Sequence, residues 1–247
     1  MSDVRSAVVT GASRGIGLGI ARRLAERAYS LTITARDEQR LTDVAELLTG
    51  AGAASVRWVA TDLAGQDGVD AVIEAHGEAH DAMSALVLAA GVGSAGPIAR
   101  YPMSRYDKQF AVNTRAPFLM IQQALPMLRK AATAEPERGA KVIALASIGG
   151  VYAEPGLSVY GAAKAALISL CRSFNVEESA NGLSATAIAP AFVDTDMSAW
   201  AHDQVAPETM ISTSDVVEIV DAVLRLSPQA VVPEVVVGRA GTTGYCA

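Results

Sequence analysis

Short runs of apolar and β-branched residues recur along this chain, and segments with helical spacing fill the intervals between them. The strand-like runs lie at 4–10, 30–34, 55–60, 85–88, 141–146, 184–188 and 231–237. Several are almost continuously apolar, the pattern of parallel strands covered on both faces. The helical segments lie at 17–27, 39–48, 69–79, 105–131, 162–179 and 215–226. Such alternation predicts an α/β architecture: a doubly wound parallel sheet of about seven strands flanked by helices. Right-handed crossovers limit the possible strand orders to a few. Neither an internal repeat nor a low-complexity linker interrupts the pattern, and the polar stretch 131–139 reads as a surface loop. The 247 residues are therefore expected to form a single domain, 1–247, with no separate substrate domain.

Composition narrows the classes of partner. Apolar residues make up 51% of the chain, too many for a disordered protein. The net charge of -6 lacks the basic footprint of a nucleic-acid binder. The longest apolar stretch, 85–93, is far short of a membrane span. Cys171 and Cys246 cannot build a disulfide framework, and no Cys/His cluster suggests zinc. His76 and His80 share helical spacing, but with no third ligand evident they read as a solvated face and no metal is expected. The polar N-terminus carries no leader pattern, so a cytoplasmic protein is expected.

Thr10-Gly-Ala-Ser-Arg-Gly-Ile-Gly17 stands where the first strand ends and the first helix begins. Gly11, Gly15 and Gly17 let backbone approach a pyrophosphate, and the helix N-terminus offers free N–H groups to it. The loop, with Ser13, Arg14 and Ile16 between its glycines, thus points to dinucleotide binding on a Rossmann-type fold. The second strand ends at Thr34-Ala35-Arg36, with no acid at 35 to meet a ribose 2′-hydroxyl. Arg36 and Arg14 are instead placed to meet a 2′-phosphate, which predicts NADP(H). Asp37 reads as a cap of the next helix and a weak rival signal for NAD.

Tyr160 and Lys164 are four apart at the start of a helix, hence on one face. Ser147 follows the fifth strand, and Asn113 lies in the helix before it. In this order, behind this glycine loop, the chain resembles the short-chain dehydrogenases/reductases, in their roughly 250-residue NADP-preferring branch, from Val4 to about Ser227. The resemblance implies that Asp62 and Leu63 meet the adenine and that Ala90 and Gly91 line the cofactor. It implies too that Pro190, Val193 and Thr195 hold the nicotinamide carboxamide, and that Tyr160 and Lys164 touch cofactor as well as substrate. It casts Ser147, Tyr160, Lys164 and Asn113 as the catalytic set. Asn113 would hold a water linking Lys164 to solvent.

The expected reaction is reduction of a ketone or aldehyde, as in carbonyl or 3-oxoacyl reductases, with Tyr160 as general acid/base. A Lys164 ammonium about 4 Å away would stabilise the phenolate by about 4 kcal/mol, roughly three pKa units, offset in part by burial. The substrate is a small carbonyl or alcohol molecule, and a homodimer or homotetramer is expected from helices that pair in the family. The alternative is a non-catalytic NADP-binding redox sensor on the same fold. Ala89 stands where the family has Asn, and Ala191 where it has Gly, which predicts weaker cofactor binding. The segment 190–213 lacks periodicity and carries Phe192, Met197 and Trp200, the composition of an apolar lid or of core packing.

Overall fold

A computed structural model describes residues 5–203 and 205–242. Val4, Gln204 and the tail 243–247, with Cys246, lie outside the described residues. The strands are β1 (Ser6–Thr10), β2 (Ser30–Ala35), β3 (Ser55–Ala60), β4 (Ala85–Leu88), β5 (Ala140–Leu145), β6 (Leu183–Pro190) and β7 (Glu234–Val237). The helices are α1 (Gly15–Glu26), α2 (Glu38–Gly50), α3 (Gln66–Gly77), α4 (Met103–Phe110), α5 (Ala116–Ala134), α6 (Ser158–Glu178) and α7 (Thr213–Leu224). Among the described residues the strands form one parallel sheet in the order β3-β2-β1-β4-β5-β6-β7. This is the doubly wound α/β architecture that the alternation predicts.

The apolar runs explain the strand order. β1, β4, β5 and β6 are buried along their whole length, whereas β3 and β7 are partly exposed, as sheet edges must be. Because side chains alternate across a strand, each central strand feeds two cores. Ala7, Val9, Ala85, Val87 and Ile143 pack under α1, α2 and α7. Val8, Leu86, Leu88, Val142 and Ala144 pack under α3, α5 and α6. The chain reverses winding between β1 and β4, so the loops after these strands part and leave a crevice at the carboxyl ends.

Four expectations need correction. The helix expected at 105–131 is broken: a π-helical turn, Ala111–Arg115, separates α4 from α5. The break swings Asn113 into the interior, where both ends of its side-chain amide engage Val92. The last strand begins at Glu234, three residues later than expected, and α5 continues to Ala134 into the stretch expected to be loop. His76 is not on a solvated face. It is fully buried, with Nδ1 3.0 Å from Thr32 Oγ1 and Nε2 3.3 Å from Ser6 Oγ. Periodicity placed His76 and His80 on one face but could not say that α3 turns that face to the sheet. No metal-ligand cluster occurs among the described residues, and no helix there is long and apolar enough to cross a membrane.

Burial lowers the His76 pKa from 6.5 to about 4, with the neighbouring His80 acting in the same direction. The unfolded chain therefore binds a proton between these values that the folded chain refuses. Stability from this group is complete above pH 6.5 and is lost as pH falls toward about 4, up to roughly 3 kcal/mol. Urea titrations across this window should show the fall in wild type and a much smaller one in His76→Asn. Equal slopes for the two proteins would contradict the assignment.

Candidate active site

The crevice opens into a cleft of about 660 Å³. The glycine loop forms its floor because no larger residue fits. Gly11 has φ +64°, and a side-chain carbon there would lie 2.8 Å from the Ala90 backbone. One at Gly17 would lie 2.3 Å from Gly11 O. Real contacts of this kind do not occur, so these glycines are steric requirements of the turn. No side chain caps α1 at Arg14, which leaves the helix's first N–H groups open to an anion in the cleft. The crevice is braced by Thr10, whose Oγ1 accepts from Ala90 N at 3.0 Å and donates to Val87 O at 3.3 Å. This bracing operates beside Ala89, where the family's Asn is missing.

One end of the cleft is cationic. Arg36 and Arg40 line it, both exposed, and neither side chain has a hydrogen-bond or ion-pair partner among the described residues. Asp37 accepts a hydrogen bond from Arg40 N at 3.1 Å, so its carboxylate is occupied in capping α2. Arg14 is engaged differently from the sequence expectation. Its guanidinium lies 3.1 Å from Asp196, tying the glycine loop to the segment after β6. Asp62 and Leu63 also line this end, and Asp62 accepts from Ala64 N at 3.0 Å.

At the other end stand Ser147, Tyr160 and Lys164. Ser147 starts a 3-10 turn, and Gly150 in it together with Gly161 on α6 lets the two approach closely. A side-chain carbon at Gly150 would sit 2.8 Å from the Lys164 and Ala165 backbone, and one at Gly161 would sit 2.5 Å from Gly149 O. Gly150, close after Ser147, and Gly161, next to Tyr160, were a readable signal that the sequence analysis missed. Burial raises the Tyr160 pKa, while a hydrogen bond with the Ser147 side chain pulls it down.

Lys164 is buried, and its Nζ donates to Leu145 O at 2.6 Å. Burial lowers its pKa to about 8. Its Nζ is 5.8 Å from the centre of the Tyr160 ring. The ammonium is thus hydrogen-bonded to a main-chain carbonyl, and burial acts on the phenol against the lowering that the sequence leads one to expect.

Asn113 alone among the predicted site residues does not line the cleft; it is fully buried behind Gly91. Its Oδ1 accepts from Val92 N at 3.0 Å and its Nδ2 donates to Val92 O at 2.7 Å. A side-chain carbon at Gly91 would meet both Asn113 Oδ1, at 3.2 Å, and Lys164 Nζ, at 3.4 Å. Gly91 is thus packed against both, with Lys164 reaching the cleft beside it and Asn113 behind it.

Pro190, Val193 and Thr195 line the side opposite, where Ser198 Oγ donates to Val193 O at 2.6 Å and accepts from Thr195 N at 3.2 Å. Ala191 is buried. Phe192 stands edge-on to Trp200 at 5.8 Å. Trp200 and Met197 are 58% and 49% exposed, which excludes core packing as their role. Arg40, Ser94 and Lys108 are further lining residues that the sequence analysis did not single out.

A family model described as short chain dehydrogenase matches residues 5–206. The chain is 34% identical over 204 residues to 2-(R)-hydroxypropyl-CoM dehydrogenase of Xanthobacter autotrophicus, covering 81% of this chain and 79% of that one. It is 35% identical over 187 residues to the rhamnolipids biosynthesis 3-oxoacyl-[acyl-carrier-protein] reductase of Pseudomonas aeruginosa, covering 75% and 72%. Among solved structures, a Pseudomonas aeruginosa RhlG/NADP active-site complex superposes with a TM-score of 0.84 at 28% identity, over 94% of this chain and 93% of that one.

Proposed function

The chain belongs to the short chain dehydrogenase family of oxidoreductases, and from this premise we propose that it reduces a ketone or aldehyde to an alcohol with NADPH. One observation carries the reading: Ser147, Tyr160 and Lys164 share one cleft with an uncapped helix N-terminus and a cationic corner. That donor set fits a dinucleotide with a 2′-phosphate. The glycine loop and the first N–H groups of α1 would hold the pyrophosphate. Arg36 and Arg40 would meet the 2′-phosphate. Asp62 and Leu63 would flank the adenine, and Ala90 and Gly91 would form the wall beneath. Lys164 would meet the nicotinamide ribose, and Pro190, Val193 and Thr195 the carboxamide. The NADP named with the Pseudomonas structure supports this choice.

When bound, NADPH supplies the hydride that reaches the carbonyl carbon. Tyr160 gives the proton to the carbonyl oxygen, and Ser147 hydrogen-bonds the same oxygen. Burial keeps Tyr160 protonated at neutral pH, which suits a proton donor. The buried Lys164 ammonium stabilises the phenolate as it forms, because its field is little screened there. Asn113 fixes the loop at Val92, so any part it takes in passing a proton outward falls to its main chain in the π-turn.

The segment 190–213 would close over the nicotinamide as a lid, with Phe192, Met197 and Trp200 inward. The whole of 1–247 would act as one domain on a small molecule in the cytoplasm. Assembly as a homodimer or homotetramer would use the face of α5 and α6, where Phe118 is exposed beside a groove lined by Phe110 and Leu170.

Tyr160→Phe should lower reductive kcat about 10²–10⁴-fold with NADPH affinity retained. Wild-type kcat/KM for reduction should hold level through neutrality and fall above about pH 8, as Lys164 loses its charge. Oxidation should instead rise with pH, because it needs Tyr160 unprotonated. Turnover of Tyr160→Phe near the wild-type rate would contradict the role. Tight NADPH binding without turnover over a broad carbonyl panel would favour the redox sensor.

A second test addresses the cationic corner. Arg36→Asp should weaken NADPH binding roughly ten- to a hundredfold and leave NADH little changed. An unaltered preference would overturn the 2′-phosphate assignment.

A further inference from the structure

The segment after β6 returns over the glycine loop, and one ion pair fastens it there. Arg14 Nη1 lies 3.1 Å from Asp196 Oδ2, with the two side chains 55% and 64% exposed. Arg14 is the residue that precedes α1. Beside it, a side-chain carbon at Gly15 would lie 3.3 Å from Thr195 Cγ2, so Thr195 rests on the first residue of the helix. Among the described residues, this ion pair is the one that joins the turn 193–198 to the glycine loop.

The root of this turn is anchored and its crest is not. Asp194 N donates to Ile211 O, and Ile211 N donates to Phe192 O, both at 2.9 Å. Thr213, which opens α7, donates through Oγ1 to Asp194 O at 3.3 Å. Ser198 Oγ donates to Val193 O at 2.6 Å and to Thr195 O at 2.9 Å, which keeps the turn compact. Thr195 and Asp196 form the crest. Among the described residues, their one hydrogen bond to anything outside the turn is that with Arg14. The crest can therefore lift about Asp194 once this single pair parts.

We propose that Arg14 and Asp196 form a latch that slows both the entry and the release of the dinucleotide. The inference rests on the reading of the cleft as an NADPH site. In that reading the pyrophosphate lies on the first N–H groups of α1 and the carboxamide meets Thr195, so the molecule runs beneath the crest. The crest must lift for it to pass in either direction, and the ion pair parts each time. Arg14 is then a latch and not a ligand of the 2′-phosphate. The rival effect of Asp196 is repulsion, an anion beside a polyanion, and its sign is opposite. Losing repulsion slows release, whereas losing a latch speeds it.

Stopped-flow fluorescence of NADPH gives the binding and release rates that test this. Asp196→Asn should speed release about two- to fivefold, the scale of an exposed ion pair, and should speed binding as well. Asp196→Glu, which keeps the carboxylate, should stay near the wild-type rates. Arg14→Gln should also speed release, and adding Asp196→Asn to it should bring no further increase. In 1 M KCl the difference between wild type and Asp196→Asn should shrink, because the charges are screened. Release from Asp196→Asn that is unchanged or slower would overturn the proposal. An equal gain from Asp196→Asn with and without Arg14 would mark a structural role and overturn it too. If NADPH binds and the rates do not respond, the latch falls and the cofactor reading stands. If wild type binds no NADPH, that reading falls and takes the latch with it.

Discussion

The contact on which the rest of the structure depends is the close approach of the β1–α1 turn to the end of β4. Gly11 lies against the Ala89–Ala90 backbone, and Gly17 lies against Gly11, at distances that exclude any side chain. Thr10 ties the same two strands through its hydroxyl. This approach brings the open N-terminus of α1 to the point where the sheet reverses its winding. The net charge of -6 is no obstacle there, because the helix end and the arginines make a local positive site. The cleft follows from the topology, and its chemistry follows from which residues end the strands.

The buried Lys164 is the most costly feature of the site. An ammonium without solvent is destabilised, and its lowered pKa reflects this. The Leu145 carbonyl offsets part of the penalty through the hydrogen bond at 2.6 Å. The arrangement retains a charge in a low-dielectric wall near Tyr160, where it acts more strongly than a surface cation would. Tyr160 is itself pushed toward its protonated form by burial. A desolvated proton donor beside a desolvated cation suits delivery of a proton to a carbonyl oxygen.

Much of this was legible in the sequence, for identifiable reasons. The apolar runs at 85–88 and 141–146 had to be central strands because they have no polar face. Gly11, Gly15 and Gly17 between strand and helix marked the turn, and the spacing of Tyr160 and Lys164 put both on one face of α6. What was hidden depended on contacts between distant parts of the chain. Arg14 pairs with Asp196, 182 residues away, which no local pattern announces. The π-turn at Ala111–Arg115 has ordinary helical composition and shows only in the folded backbone, where Asn113 bonds Val92. His76 looked like a surface residue because periodicity gives a face and not what covers it. Spacing fixes the face of Lys164 but not the carbonyl toward which its ammonium turns.

The proposed reaction is hydride transfer from NADPH to a carbonyl carbon, with the proton coming from the protein. The most direct measurement uses NADPH deuterated at the transferable position of the nicotinamide, with the alcohol product read by mass spectrometry and NMR. Such a transfer requires one deuterium on the carbinol carbon for each NADPH oxidised, and none at that carbon when unlabelled NADPH is used in deuterated water. NADPH that binds without delivering its label to any carbonyl, or a carbinol hydrogen derived from solvent, would contradict it.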